Sequence, residues 1–297
     1  MDQSKANQRS STLIGFTAIL MWGVLALFSK MAGDVPPLQL LAMSFLIGGL
    51  LGVASWPFRP NAIHILTSQK WQVWALNVGA LFGCHFLYFL AVRNAPVVEV
   101  SLLAYLWPLL IVVFSAFLPG EKLKWNHILG VVLGLAGAFY VISKGQSFTL
   151  ASGIQLGHII AIPYAILWAG FSVLIRKYGD VPSDIVAGFC LACAGLAGTC
   201  HFMFEKTLWS FSAPQILAIV GLGLFPMGAA FYAWDYGMKN GSRMVLGAAS
   251  YVAPLLSTII LVATGFAAYH WSIAIGCLLI TAGAILAAKD MIFKKPI

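Results

Sequence analysis

Charge is what this sequence most lacks. Of its 297 residues only 26 are charged, 17 basic and 9 acidic, which is 9% of the chain against 61% hydrophobic. A soluble domain carries about 25% charge, so a water-soluble globular protein is excluded and the bilayer is the implied solvent. Cysteine is also scarce. The five thiols (Cys84, Cys190, Cys193, Cys200, Cys277) all lie in apolar runs, which excludes a disulfide framework. Cys190 and Cys193 have redox-motif spacing but sit in a hydrophobic run, where they read as small packing residues. Carboxylates are missing from the middle of every apolar run; Glu99 and Asp235 fall toward run ends. No His/Cys/Asp/Glu cluster has metal-ligand spacing, so neither a metal nor a cofactor is expected. The net charge of +8 is scattered in small groups between the runs, which argues against a nucleic-acid partner.

What is present is a series of long apolar stretches. A membrane-crossing helix needs about twenty predominantly apolar residues. Ten stretches qualify, at about 12–31, 36–57, 71–93, 97–118, 125–143, 151–177, 182–204, 214–238, 242–264 and 270–289. The fold class expected is therefore all-α, a polytopic membrane protein of ten transmembrane helices. Polar tails are expected over 1–11 and 290–297, and the first stretch lacks a small-residue cleavage pattern, so it reads as a retained helix. With the N-terminus in the cytoplasm, thirteen basic residues, among them Arg59, Lys70, Lys122, Lys124, Arg176, Lys177, Lys239 and Arg243, fall inside, and four (Lys30, Arg93, Lys144, Lys206) fall outside. That bias predicts both termini in the cytoplasm.

Shifting the chain by 146 residues superposes its halves without a gap over much of their length. Gly33-Asp34-Val35-Pro36 falls on Gly179-Asp180-Val181-Pro182, Trp22 on Trp168, Asn94 on Asn240, and Pro108-Leu109-Leu110 on Pro254-Leu255-Leu256. Trp125 falls on Trp271 and Ala136-Gly137-Ala138 on Ala282-Gly283-Ala284. The organisation expected is two five-helix repeats, 12–143 and 151–289. Five is odd, so the second repeat enters the membrane from the opposite side. Such 5+5 inverted repeats belong to secondary transporters with a midplane site and alternating access.

Ten tryptophans sort by depth. Trp56, Trp71, Trp74, Trp125, Trp209, Trp234 and Trp271 lie near run ends and read as an interfacial belt. Trp22, Trp107 and Trp168 lie near run centres, where an indole N–H needs a partner from the protein or a wet cavity. Tight helix packing is the alternative for them. Pro108 and Pro254 occupy equivalent mid-run positions, so both helices should bend there, free the carbonyls of Ala104 and Ser250, and serve as hinges beside Tyr105, Trp107, Ser250 and Tyr251. His85 lies mid-run with Phe89 one turn on, as a substrate contact or a satisfied packing residue. Gly130-x-x-x-Gly134, with Gly276 and Gly283, should pack the halves together; a dimer interface is the weaker reading, and a monomer is expected.

The Trp22-Gly23 pair, its match at Trp168, the 5+5 repeat and the paired prolines resemble the drug/metabolite transporter superfamily in its ten-helix EamA form. The stretch Val98-Glu99-Val100 to Tyr105-Leu106-Trp107-Pro108, with Ser250-Tyr251 to Pro254 and Ala233-Trp234-Asp235 to Gly237, is similar to aromatic amino-acid exporters of the YddG type. Asp235 stands where that resemblance implies a neutral amide.

The lack of a mid-membrane carboxylate argues against proton-coupled export of cationic drugs. A cavity lined by Trp, Tyr, Phe and His suits a neutral or zwitterionic solute with a large apolar part. The resemblance makes that solute an aromatic or other bulky neutral amino acid, exported across a bacterial inner membrane. The substrate contacts expected are Trp22, His85, Phe89, Tyr105, Trp107, Trp168, Ser250 and Tyr251. Rival readings are an exporter of another neutral metabolite or drug and a passive channel. An intramembrane hydrolase would need a base paired with Ser250, and none is evident, so no enzyme is expected.

Overall fold

The computed structural model describes residues 3–58, 61–115, 125–142, 154–174, 181–241, 246, 249–287 and 289, and these contain helices and connections without a strand. Six segments are long and apolar enough to cross a membrane: Asn7–Met31, Pro37–Phe58, Trp71–Asn94, Leu156–Leu174, Ser183–Phe204 and Ala213–Asn240. Shorter apolar helices cover Val97–Ile111, Ile128–Val141, Ala253–Ala263 and Trp271–Gly283.

The first crossing is α1 (Gln3–Gly23) and α2 (Leu25–Met31), interrupted at Val24, whose N–H reaches the Met21 carbonyl at 3.3 Å. The tail expected over 1–11 is helical from Gln3. Its Gln, Lys, Ala and Arg residues are good helix formers, and the Ser11 and Thr12 hydroxyls bond the carbonyls of Asn7 and Gln8. Gly33, at φ 58°, turns the chain in a left-handed conformation that glycine adopts without strain. Pro37 then opens α3 (Pro37–Val53), at a position where a missing N–H costs nothing. Helix α4 (Ala62–Ser68) leads to α5 (Trp71–Asn94).

The two runs expected to bend at proline are broken instead. Helix α6 (Val97–Ala104) ends in a turn at Tyr105–Leu106, and α7 (Trp107–Ser115) has Pro108 as its second residue. In the later run a 3-10 turn, Ser250–Val252, precedes α13 (Ala253–Ala263), with Pro254 second. Proline's fixed φ starts a helix more readily than it continues one, so each chain breaks just before its proline. Between these breaks lie α8 (Trp125–Ile142), α9 (Leu156–Leu174), α10 (Val186–Phe204), α11 (Ala213–Leu224) and α12 (Ala230–Asn240); α14 (Trp271–Ala287) follows α13. Helices α11 and α12 are joined by a π-helical turn, Phe225–Ala229, that contains Pro226.

Four helix pairs make the most extensive contacts: α3 on α10, α8 on α14, α1 on α12, and α5 on α9. The α8–α14 seam is nearly backbone on backbone. A Cβ built on Gly283 would lie 2.5 Å from the Gly130 carbonyl oxygen, and one on Gly137 would lie 2.8 Å from that of Gly276. The core between the pairs includes the fully buried Leu40, Leu41, Phe45, Phe89, Leu102, Leu222 and Met227, whereas Leu50, Leu135, Ile159, Ile259 and Leu278 are more than half exposed. An outer surface so apolar is stable against hydrocarbon and not against water. All five cysteines are free thiols.

Contacts define two ends of the bundle. Gly188 meets Leu66 and Trp74, and Gly241 meets Thr12, at one; Leu38 pairs with Glu205, Gln39 with Leu208 and Asp34 with Gln215 at the other. The α8–α14 seam predicts that Gly283→Val destabilises the detergent-solubilised protein by about 1–3 kcal/mol, as overpacking does. Gly195→Ala, where an added Cβ meets nothing within 4 Å, should leave the thermal midpoint almost unchanged.

Candidate functional site

The break in α1–α2 and the π turn face each other, and Trp22 joins them. Its indole N–H donates to the Pro226 carbonyl at 3.2 Å, across 204 residues of sequence. A π turn leaves carbonyls without their usual helical donors, so the tryptophan at depth finds its partner in an irregular turn rather than in water. Trp22 packs on Trp234 at 5.1 Å between ring centroids and meets Phe231 edge-on at 6.4 Å. Trp234, which the sequence placed in the interfacial belt, is therefore part of this cluster. The belt assignment rested on distance from a run end, and α12 carries the residue back over Trp22.

His85 lies in the same cluster. It is buried, its ring stands edge-on to Phe45 at 5.2 Å and to Phe231 at 5.9 Å, and its Nδ1–H donates to the Leu81 carbonyl at 2.8 Å. A carbonyl can only accept, so the neutral ring keeps its proton on Nδ1 and leaves Nε2 as the acceptor. Trp22 and His85 thus share one neighbour, Phe231, that sequence reasoning missed along with Phe45. The signal was available: Phe231 falls on His85 in the 146-residue register.

The other expected residues are spread around this cluster. Phe89 is buried in the core beside Tyr88, whose hydroxyl is 2.9 Å from Ser101 Oγ and whose ring meets Tyr164 at 5.7 Å. Tyr105 occupies the turn between α6 and α7, and Trp107 opens α7; both are half-buried. Trp168, on α9, is half-buried against the core with its ring on Phe171. Ser250 is buried at the start of the 3-10 turn, and Pro254 is buried at the head of α13. The side chains of Tyr251 and Pro108 lie outside the described residues. Among the described residues, no ring contact joins Tyr105, Trp107 or Trp168 directly to Trp22 or His85.

Two clefts lie elsewhere. A polar one of about 660 Å³ is lined by Asn7, Gln8, Ser10, Ser11, Tyr236 and Asn240, and an apolar groove of about 380 Å³ runs along Ala42, Met43, Leu46, Leu191, Ala194, Gly195 and Gly198.

Acidic residues at the helix ends are all partnered where described. Glu99 Oε2 is 2.7 Å from His158 Nε2, joining α6 to α9. Glu205 accepts from the backbone N–H groups of Leu38 and Gln39 at 3.0–3.2 Å and is 2.8 Å from His201 Nδ1. Asp235 lies 2.7 Å from Lys239 Nζ and accepts the Ser183 hydroxyl. Its charge, out of place for the resemblance, is thus neutralised within its own helix.

The model of the EamA-like transporter family matches this chain twice, over residues 9–143 and 155–289. The chain belongs to that family. The aromatic amino acid exporter YddG of Ancylobacter novellus is 47% identical over 95% of this chain and 98% of its own length. The aromatic amino acid exporter YddG of Escherichia coli K12 is 23% identical over 94% of this chain and 97% of its own. A solved crystal structure, 46% identical, matches with a TM-score of 0.73 over 95% of this chain and 97% of the other. This EamA-like chain is thus a transporter by family and a multi-pass membrane protein by its apolar helices.

Trp22→Phe keeps the ring packing and removes the donor to Pro226, which should cost about 1 kcal/mol in thermal unfolding. Trp209→Phe, at a ring 84% exposed, should stay within about 0.5 kcal/mol of the parent.

Proposed function

We propose that this chain exports aromatic and other bulky neutral amino acids across a bacterial inner membrane, by alternating access between two inverted five-helix repeats. The observation that carries the substrate class is the near-full-length match to an aromatic amino acid exporter at 47% identity. The cluster of Trp22, Trp234, Phe231, Phe45 and His85 fits it chemically. Stacked and edge-on rings offer an apolar, polarisable surface to an aromatic side chain, and His85 Nε2 and the broken-helix turns offer acceptors and donors to the amino and carboxylate groups.

Three observations support the inverted repeat. The two family matches are offset by 146 residues at both ends, the same shift that aligns the halves of the sequence. Under that shift α3 corresponds to α10 and α8 to α14, the helices that pack on each other, while the α1–α12 pair corresponds to α9–α5. His85 and Phe231, equivalent residues, touch each other, as expected beside an approximate two-fold axis. Ten crossings, with the termini in the cytoplasm, accommodate the six long and four short apolar helices. Trp107, Trp168, Tyr105, Ser250 and Tyr251 complete the pathway as half-helix pairs move, with Pro108 and Pro254 beside the pivots.

Purified protein in liposomes should take up radiolabelled phenylalanine and tryptophan in preference to alanine and a purine. Background uptake of both aromatic amino acids would end the substrate assignment. Trp107→Ala and Trp168→Ala should lower the rate about tenfold, the order expected for losing one aromatic contact, while Trp209→Ala leaves it intact; equal rates in all three would remove the central tryptophans from the pathway.

A further inference from the structure

We propose that the Glu99–His158 pair, seconded by Glu205, is the outer gate of the transporter and is closed in this structure. The proposal rests on the inverted-repeat reading above, which makes α6 part of the first half and α9 part of the second. Both gate residues are the third residue of their helices, so two helix N-termini lie side by side at the end of the bundle that the charge bias places outside. His158 Nδ1 accepts from the Gln155 backbone N–H at 3.0 Å. The ring proton is therefore on Nε2 and is donated to Glu99. One buried carboxylate thus offsets two adjacent positive dipole ends and holds two halves of the molecule together.

Glu205 does the same work nearby. From the second half it accepts the Leu38 and Gln39 N–H groups at the head of α3, in the first half, while the Gln39 side chain pairs with both backbone groups of Leu208 at 2.8–3.0 Å. Arg93, exposed, adds the attraction of its charge for Glu205 and Asp34.

The repeat register sets two of these ties apart from the third, since Glu205 and Leu38 fall on Arg59 and Asp184, which are both charged. Glu99 and His158 fall on Val245 and Thr12, and Gln39 and Leu208 on Ile185 and Ala62, which lack those ionic and amide groups. The Asp34–Gln215 bond, by contrast, falls on Asp180 and Gln69 and is not what distinguishes the faces. At the other end, among the described residues, the Lys239–Asp235 pair lies within α12 and bonds Val181 and Ser183 of the same half, and the 660 Å³ polar cleft at Asn7, Ser11 and Asn240 opens on that side. The Glu99–His158 and Gln39–Leu208 ties therefore hold the outer end closed without residues of the same chemistry at their register equivalents.

The test uses full-length protein with its native cysteines replaced and one reporter, Ser250→Cys, labelled by a membrane-impermeant maleimide from either face of sealed vesicles. The parent should label mainly from the inside. Glu99→Gln, which keeps shape and removes charge, should raise outside labelling about threefold or more relative to inside, and Glu205→Gln should act in the same direction. A thermal midpoint in detergent close to the parent's certifies that each variant is folded. Unchanged ratios in both folded variants would overturn the gate while leaving alternating access intact. Rapid labelling of the parent from both faces without competition between them would overturn alternating access itself, and the gate with it.

Discussion

A backbone amide in hydrocarbon has no water to turn to, so each must be paired within the protein. That constraint decides the shape of this molecule. It makes the apolar runs helical, and it restricts each interruption to a place where something else supplies the partner. The break at Val24 and the π turn at Phe225–Ala229 are opposite each other, bridged by the Trp22 indole. The breaks before Pro108 and Pro254 fall at residues that lack a donor in any case. Irregular backbone leaves polar groups of such a bundle open to a partner, and so it is one place where a solute's amino and carboxylate groups can be met.

Much of the fold was legible because the bilayer simplifies the code. Length and apolarity alone located the six long crossings, and the shorter helices over 97–111, 128–141, 253–263 and 271–283 also fall within runs found in the sequence. The chain's membership of the EamA-like family was readable from Trp22-Gly23 and the paired prolines. What composition could not tell was how a run is broken. A proline mid-run is compatible with a kink in one helix or with the start of another, and only the turn residues around it, set by tertiary contact, decide. The helical tail before Ser11 was hidden for the opposite reason, since its polarity ends the apolar run but not the helix.

The site was read less completely. Depth along a run identified Trp22, whose need for a hydrogen-bond partner follows from its position. Depth misplaced Trp234, because a residue near a helix end can still point inward when its helix leans on another. Phe45 and Phe231 carry no chemistry that would single them out in a sequence with 20 phenylalanines. They become visible only through the rings they touch. The pairing of Glu99 with His158 was likewise out of reach, since 59 residues separate them and no spacing links one to the other.

The glycine seam between α8 and α14 has a consequence for descent. In the repeat register Gly130 corresponds to Gly276 and Gly137 to Gly283, so the Gly137–Gly276 contact and the Gly130–Gly283 contact are two copies of one contact. A surface that meets its own equivalent in this way is self-complementary, the property of an isologous dimer interface. On the repeat proposed above, a five-helix ancestor would have carried this patch on its own and paired with a second copy inserted upside down. Within one chain the same contact is an internal joint, and a substitution on either copy of the patch must still fit the other.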